Sequence, residues 1–197
     1  RGVIAGSAAG FAVAGLVTPD QARAQGVAPK RGGTLTMPLT PEPPVLVFGV
    51  NSQGPTLIAG SKIYQGLLKY SPKLEPLPEL AKNWEISEDR RTYTFRLQEG
   101  VRFHDGMPMT ADDVVFSVMK FHMELSPRAR GVFANIEEAT ALDPLTVRMV
   151  LKAPFEPFLL MFDGTTCAIV PKHVFEGTDY RTNPRNLAVF EIGRAHV

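Results

Sequence analysis

Four groups of residues in this chain have types and spacing that could do chemistry. The adjacent carboxylates Asp112 and Asp113 could share a proton or a cation. Neighbouring side chains on a helix point ~100° apart, a poor geometry for either task. Both fit better at a helix start: Thr110 stands where an N-cap belongs, and Asp113 three positions on completes a variant of the capping box. Their charges also complement the positive end of the helix dipole. His104-Asp105 suggests a metal pair or a catalytic dyad, but Asp105-Gly106 is a strong turn dipeptide, and no Cys or second His lies at ligand spacing. The interior histidines His122 and His173 fall in separate predicted helices. Cys167, the only cysteine, cannot form an internal disulfide and is expected to be a small buried residue. There is no Gly-x-Ser-x-Gly and no His-Glu-x-x-His, and the glycines near Gly60 and Gly66 form no phosphate loop. These residues predict no catalytic set, no metal site and no cofactor. Binding is the chemistry left.

The elements that must carry a binding surface can be read from periodicity. Thr34 to Leu39 alternates polar and apolar residues, as a strand does, and Thr40-Pro41-Glu42-Pro43-Pro44 then stops any regular structure. Apolar positions from Thr56 to Leu68 recur at helical spacing, and the proline-rich Tyr70 to Pro78 reads as a connector. Trp84–Ser87 and Thr92–Leu97 flank the polar turn Glu88–Arg91, a β-hairpin pattern, with a short strand at Val101–Phe103. The helix predicted over Ala111 to Met123 presents Val114, Val115, Val118, Phe121 and His122 on one stripe, and Leu125 to Arg130 reads as a break around Pro127. Ile136–Ala141 and Thr146–Leu151 flank Asp143-Pro144 as a second hairpin. A short helix follows Pro154, Cys167–Val170 reads as a buried strand, and Pro171 starts another helical turn. Trp84 and Phe103 fall in core-like strand patterns, so packing is expected of them.

The two ends look different from the rest. Arg1, the small and apolar run Val3 to Val17, and Ala22-Arg23-Ala24 are the parts of a secretory signal peptide, with cleavage expected after Ala24. The run is shorter than the ~20 residues a membrane span usually needs. No Met begins the chain, so its true start is expected upstream; no Cys follows the cleavage point, so no lipid anchor is expected. Residues 25–32 read as a flexible leader, and Glu191 to Val197 as a non-native tail resembling a translated sequencing adapter. Composition adds little: 197 residues, 44% hydrophobic and 21% charged, with net charge +1. Such a balance points to neither nucleic acid nor an anionic membrane as a partner.

Several short blocks then occur in a telling order: Arg31–Leu35, Tyr64–Leu68, Leu80–Trp84, Tyr93–Leu97, and Val101–Gly106 running into Thr110–Val114. The series resembles the extracellular solute-binding proteins of family 5, the dipeptide-, oligopeptide- and nickel-binding receptors of ABC importers. Its most specific part is Phe103-His104-Asp105-Gly106 followed by Thr110, Asp112 and Asp113. The resemblance covers about Lys30 to Asn186. It implies a mixed α/β (α+β) fold of the type II periplasmic-binding-protein kind, here the N-terminal lobe only and incomplete. Residues 33–43 would give the first strand of lobe I, residues 44–152 a small inserted subdomain, and residues 153–190 the return to the lobe. It further implies a periplasmic monomer that closes two lobes around a peptide or similar small solute and delivers it to ABC permease subunits. Carried over from the family, the cleft wall on this side would come from Ser52 and Gln53 and from Gly164, Thr165, Thr166 and Cys167. Two other readings stay open: an exported hydrolase, and a binding module used for sensing or chaperoning.

Overall fold

The computed structural model describes residues 36–187. The signal peptide, the leader, Gly33 to Leu35 and the tail expected from sequence lie outside them. Thr36 to Leu39 carry no strand pairing, so the expected strand is not formed over its described part.

The element order is α1 (Gly54–Gly60), β1 (Leu68–Tyr70), β2 (Pro76–Pro78), β3 (Ala81–Ile86), β4 (Thr92–Leu97), α2 (Ala111–Phe116), a π-helical turn (Ser117–His122), α3 (Met123–Leu125), α4 (Pro127–Phe133), β5 (Ile136–Asp143), β6 (Thr146–Leu151), a 3-10 helix (Glu156–Met161), α5 (Lys172–Phe175) and a last 3-10 turn (Pro184–Leu187). Four strands form one antiparallel sheet in the order β3-β4-β6-β5. Each hairpin pairs across its predicted turn, with Trp84 opposite Phe95 and Ala141 opposite Val147. The alternation in β4 and β6 puts Tyr93, Phe95, Leu97, Val147, Met149 and Leu151 on one buried face. On the other face, Arg96 pairs with Glu85 and Arg148 with Glu138.

Helix α2 and its continuation cover the buried face. Ala111, Val114 and Val118 join the sheet residues, Phe133, Phe158 and Phe162 in the larger core. Phe116, Phe121 and Leu125 point into a second cluster with Val47, Phe48, Tyr64, Val170 and Phe175. The helix is thus apolar on two sides, broader than the single stripe expected. The larger core runs without a break past residue 153, since Phe158, Phe162, Cys167 and Ile169 pack with the sheet.

Five local expectations need correction. The helix after Thr56 stops at Gly60, and Gly66 lies beyond it in a backbone crossing, where a Cβ would lie 2.1 Å from the Phe162 carbonyl oxygen. The connector over Tyr70–Pro78 is a two-stranded hairpin, Leu68 opposite Pro78 and Tyr70 opposite Pro76. The break at Pro127 is confined to Ser126, which accepts a hydrogen bond from the Ala129 N–H and starts α4 with proline in its first turn. Val101–Phe103 contributes one isolated bridge, Arg102 to Pro108. Cys167–Val170 is buried as expected but belongs to no sheet. Its backbone is satisfied in another way.

Candidate functional site: a cleft walled by the return segment

The return segment after the 3-10 helix is held by side chains of the long helix. The Asp113 carboxylate Oδ1 accepts from Lys172 N at 2.9 Å, the Ser117 hydroxyl accepts from Val170 N at 2.9 Å, and His122 Nε2 lies 2.8 Å from the Ala168 carbonyl. Residue Ile169, between them, donates its N–H to Gln65 O on the opposite side. Alternate residues of an extended chain therefore face alternate partners, as in a strand.

The helical spacing explains the π turn. Residues 113 and 117 are one α-helical turn apart, but five further residues at 3.6 per turn would aim His122 ~140° from Ser117. A widened turn with i→i+5 bonding brings the fifth residue back over the first. Across the ladder, nine helical residues rise ~13.5 Å and four extended residues ~13 Å, so the two repeats stay in step. Ser117 also donates to Asp113 O at 2.6 Å, which leaves its lone pairs for Val170. His122 is fully buried, and burial drives its pKa from 6.5 down to about 4 against the opposing pull of the Ala168 carbonyl. The ring is neutral, so Nε2–H donates to Ala168, and Nδ1 has no partner among the described residues.

This ladder sets the turn 163–166 against two other elements. Asp163 Oδ1 accepts from Thr165 N at 2.7 Å, from Thr166 N at 3.1 Å and from the Thr165 hydroxyl. Asn51 Oδ1 accepts from Gln53 N at 2.8 Å, and Thr56 ties α1 to Val45 O at 2.8 Å. Where that loop, the 163–166 turn and the start of α4 meet, a cavity of about 310 Å³ opens. Phe48, Gly49 and Leu57 form its apolar part; Ser52, Ser126, Thr165, Thr166 and Arg128 form its polar wall. Gly49 has to be small, since a Cβ would meet Phe121 Cε1 at 2.9 Å. A depression of about 410 Å³ lies elsewhere, but it is lined by side chains of the exposed β3–β4 turn, with an Arg90–Glu156 ion pair at its edge.

The expected cleft residues divide three ways. Ser52, Thr165 and Thr166 come together at the cavity. Gln53 is exposed beside it as the residue preceding α1, and Gly164 lines a neighbouring cavity of about 340 Å³ with Tyr64, Tyr70, Glu79 and Asp163. In that cavity burial raises the Glu79 carboxyl, against hydrogen bonds from Gln65 and Gly66, and burial with the charge of Asp163 raises the Tyr70 phenol. Cys167 is corrected: its side chain is wholly buried in the larger core, with its thiol pushed up by burial and by Asp163, and it does not line the cavity. Arg128 and Ser126 were missed, because Leu125–Arg130 reads as a break. The Ser-Pro pair, a good N-cap and first-turn combination, was the available signal.

The signature residues play structural parts. Phe103 is buried and meets the His173 ring edge-on at 6.1 Å. Asp105 accepts from Met107 N at 3.0 Å and faces His173 Nε2 at 2.6 Å, a pairing across 68 residues that sequence spacing did not reveal. Partial burial works against the charged form of Asp105, but the bonds from His173 and Met107 outweigh it and hold the carboxyl below the usual range. Gly106 takes φ +85°, which a side chain would strain. Asp113 accepts from both N–H and hydroxyl of Thr110, at 2.8 and 3.1 Å, while Asp112 is exposed. His104 is exposed.

The fold is that of part of a type II periplasmic binding protein. The ABC transporter substrate-binding protein CtaP of Listeria monocytogenes is 32% identical, with a TM-score of 0.65 over 75% of this chain and 30% of that one. The oligopeptide-binding protein AppA of Bacillus subtilis, solved with a nonapeptide, is 25% identical with a TM-score of 0.62, covering 71% and 28%. Among curated relatives, the dipeptide-binding protein of Escherichia coli K12 is 31% identical over 162 residues, 72% of this chain and 30% of its own. Protein XP55 of Streptomyces lividans is 36% identical over 150 residues, 72% and 27%. Residues 75–190, more than half of the chain, match the model of bacterial extracellular solute-binding proteins, family 5 Middle. The chain belongs to that family. It spans about a quarter of the length of the curated relatives it matches. No helix of the described residues is long and apolar enough to cross a membrane.

Proposed function

We propose that this chain is part of the substrate-binding component of an ABC importer, which takes a peptide or similar small solute into a two-lobed cleft by hinge closure. The observation that carries it is the meeting of Ser52, Thr165, Thr166 and Arg128 around one cavity. Three elements far apart in sequence supply hydroxyls and a cation above an apolar floor, as enclosure by a second lobe requires. Relatives described as binding a dipeptide and a nonapeptide support the solute class. In this reading residues 44–152 are the inserted subdomain, residues 153–190 the return to lobe I, and Ser52, Gln53 and residues 164–166 part of the cleft wall. The protein works outside the cytoplasmic membrane after signal-peptide removal at Ala24, as a monomer, and passes its solute to permease subunits. It performs no bond-breaking.

The test is a thermal-shift and small-angle-scattering screen of the full-length protein against peptides, metal chelates, opines and oligosaccharides. A true ligand at a hundredfold its dissociation constant adds ~2.7 kcal/mol of stability, and the protein should become more compact. Turnover of a peptide or ester, or an unchanged shape with every solute, would overturn the reading.

A further inference from the structure

We infer that His122 is a positioning residue that ties the floor of the cavity to its wall, and that solute binding requires its uncharged ring, so that acid releases the solute. The inference rests on the proposed function and adds a means of regulation to the same cleft. The ring stands between two parts of the site. Its Nε2–H donates to the carbonyl of Ala168, two residues beyond Thr166 in the wall. Its Nδ1 lies on the side of Gly49 in the floor: a Cβ built on Gly49 would come 3.5 Å from Nδ1, 2.9 Å from Phe121 Cε1 and 3.5 Å from Leu125 Cβ. One imidazole thus packs between two lining segments that are far apart in sequence.

The surroundings suit the neutral ring. Neutral imidazole has one N–H and one lone pair. Ala168 takes the N–H, and the lone pair at Nδ1 is buried with no donor among the described residues. A proton added there would make a charged donor facing Gly49, Phe121 and Leu125, whose side chains accept nothing. No charge compensates it: burial lowers the pKa of the ring to about 4, opposed by the Ala168 carbonyl alone. Ionisable groups on the packed elements have other roles. Asp113 accepts from Lys172 N and Thr110 N, and Tyr180 packs on Phe121 with its phenol raised by burial, Glu124 and Glu176. Lys120 and Arg128 are exposed, the latter at the cavity. A protonated ring must therefore draw water past Gly49 or turn toward the cavity and let go of Ala168. Either movement shifts the floor against Thr165 and Thr166. Linkage is reciprocal, so a solute that fixes floor and wall together disfavours protonation by as much as protonation weakens its binding.

The experiment has two arms, both on the full-length protein. In the first, imidazole nitrogen resonances follow the titration of His122 with and without a bound probe. The probes are Ala-Ala-Ala, its N-acetylated amide, which does not ionise itself, and the strongest binder of the wider screen. His122 should titrate at a distinctly lower pH when a probe is bound. In the second, calorimetric titration compares the parent with His122→Gln, whose amide still donates toward Ala168 but takes up no proton. The parent's Kd should rise about twofold by pH 4 and about fourfold by pH 3.5 over its value at pH 7, following the protonated fraction of a ring with a pKa of about 4. The variant's Kd should stay level over the same range. The inference fails if a bound probe leaves the His122 titration unchanged, or if parent and variant lose affinity alike; the transport reading then stands alone. Should His122→Gln not fold, the ring titration of the parent decides the matter. If no solute of the wider screen binds, both readings fall.

Discussion

The sheet and the return segment are both buried and both extended, yet they satisfy their backbones by opposite means. In β4 and β6 each strand pairs with neighbours on both sides, so main chain meets main chain. In Ala168–Lys172 the partners are three side chains of one helix, Asp113, Ser117 and His122, plus a single carbonyl from Gln65. Every buried backbone donor must find a partner. A sheet does so with groups every residue carries, whereas the ladder needs three particular residue types. The sheet should therefore tolerate acid and the loss of polar side chains, and the return segment should not. The 163–166 turn, which lines the candidate cavity, hangs on the less tolerant of the two.

The largest effect expected is in the sheet core, where packing rather than polar chemistry decides. Phe95→Ala removes a fully buried ring in contact with Phe162 and should cost ~3–5 kcal/mol in urea unfolding. A smaller cost would mean that the sheet is not the stability centre. Acid comes next and separates the regions. Since the folded pKa of His122 is about 4 and its ordinary value 6.5, the unfolded chain binds the extra proton between those values. Stability from this group is complete above pH 6.5 and declines as pH falls toward 4, by roughly 3 kcal/mol in all. Urea unfolding of the parent and of His122→Asn across that range should show the slope in the parent and little in the variant. Equal slopes would place the acid sensitivity elsewhere.

Ser117→Ala should be milder, ~1–3 kcal/mol, because it leaves the buried Val170 N–H without an acceptor. Hydrogen exchange is the sharper readout: the Val170 amide should exchange faster while those of Phe95 and Val147 keep their protection. Uniform loss of protection would erase the distinction between the two regions. At the lower end, Arg148→Ala breaks an exposed cross-strand pair with Glu138 and should change stability by less than ~1 kcal/mol.

The hairpins and the capped helix start were legible because their signals are local. Alternation over Thr92–Leu97 and Thr146–Leu151 meets its turn a few residues away, and Thr110 meets Asp113 within one helical turn. The return segment looked equally like a strand, since Cys167–Val170 is apolar and short; what periodicity reports there is burial, and it holds no information on who supplies the hydrogen bonds. Of the cleft, Ser52, Thr165 and Thr166 came from family resemblance and do meet at one cavity. Arg128 was hidden by a proline that opens a helix as readily as it ends one.

Sequence by itself determined which residues are inside, where the chain turns, and to which family it belongs, because apolar spacing and turn chemistry act over a few residues. Tertiary structure alone decided that Asp113, Ser117 and His122 read the backbone of Ala168 to Lys172, and that Asp105 meets His173. It also decided that Ser52, Arg128 and Thr166, from three separate elements, line one cavity. Those contacts join residues tens of positions apart, and they exist only once two cores have packed on opposite sides of one helix.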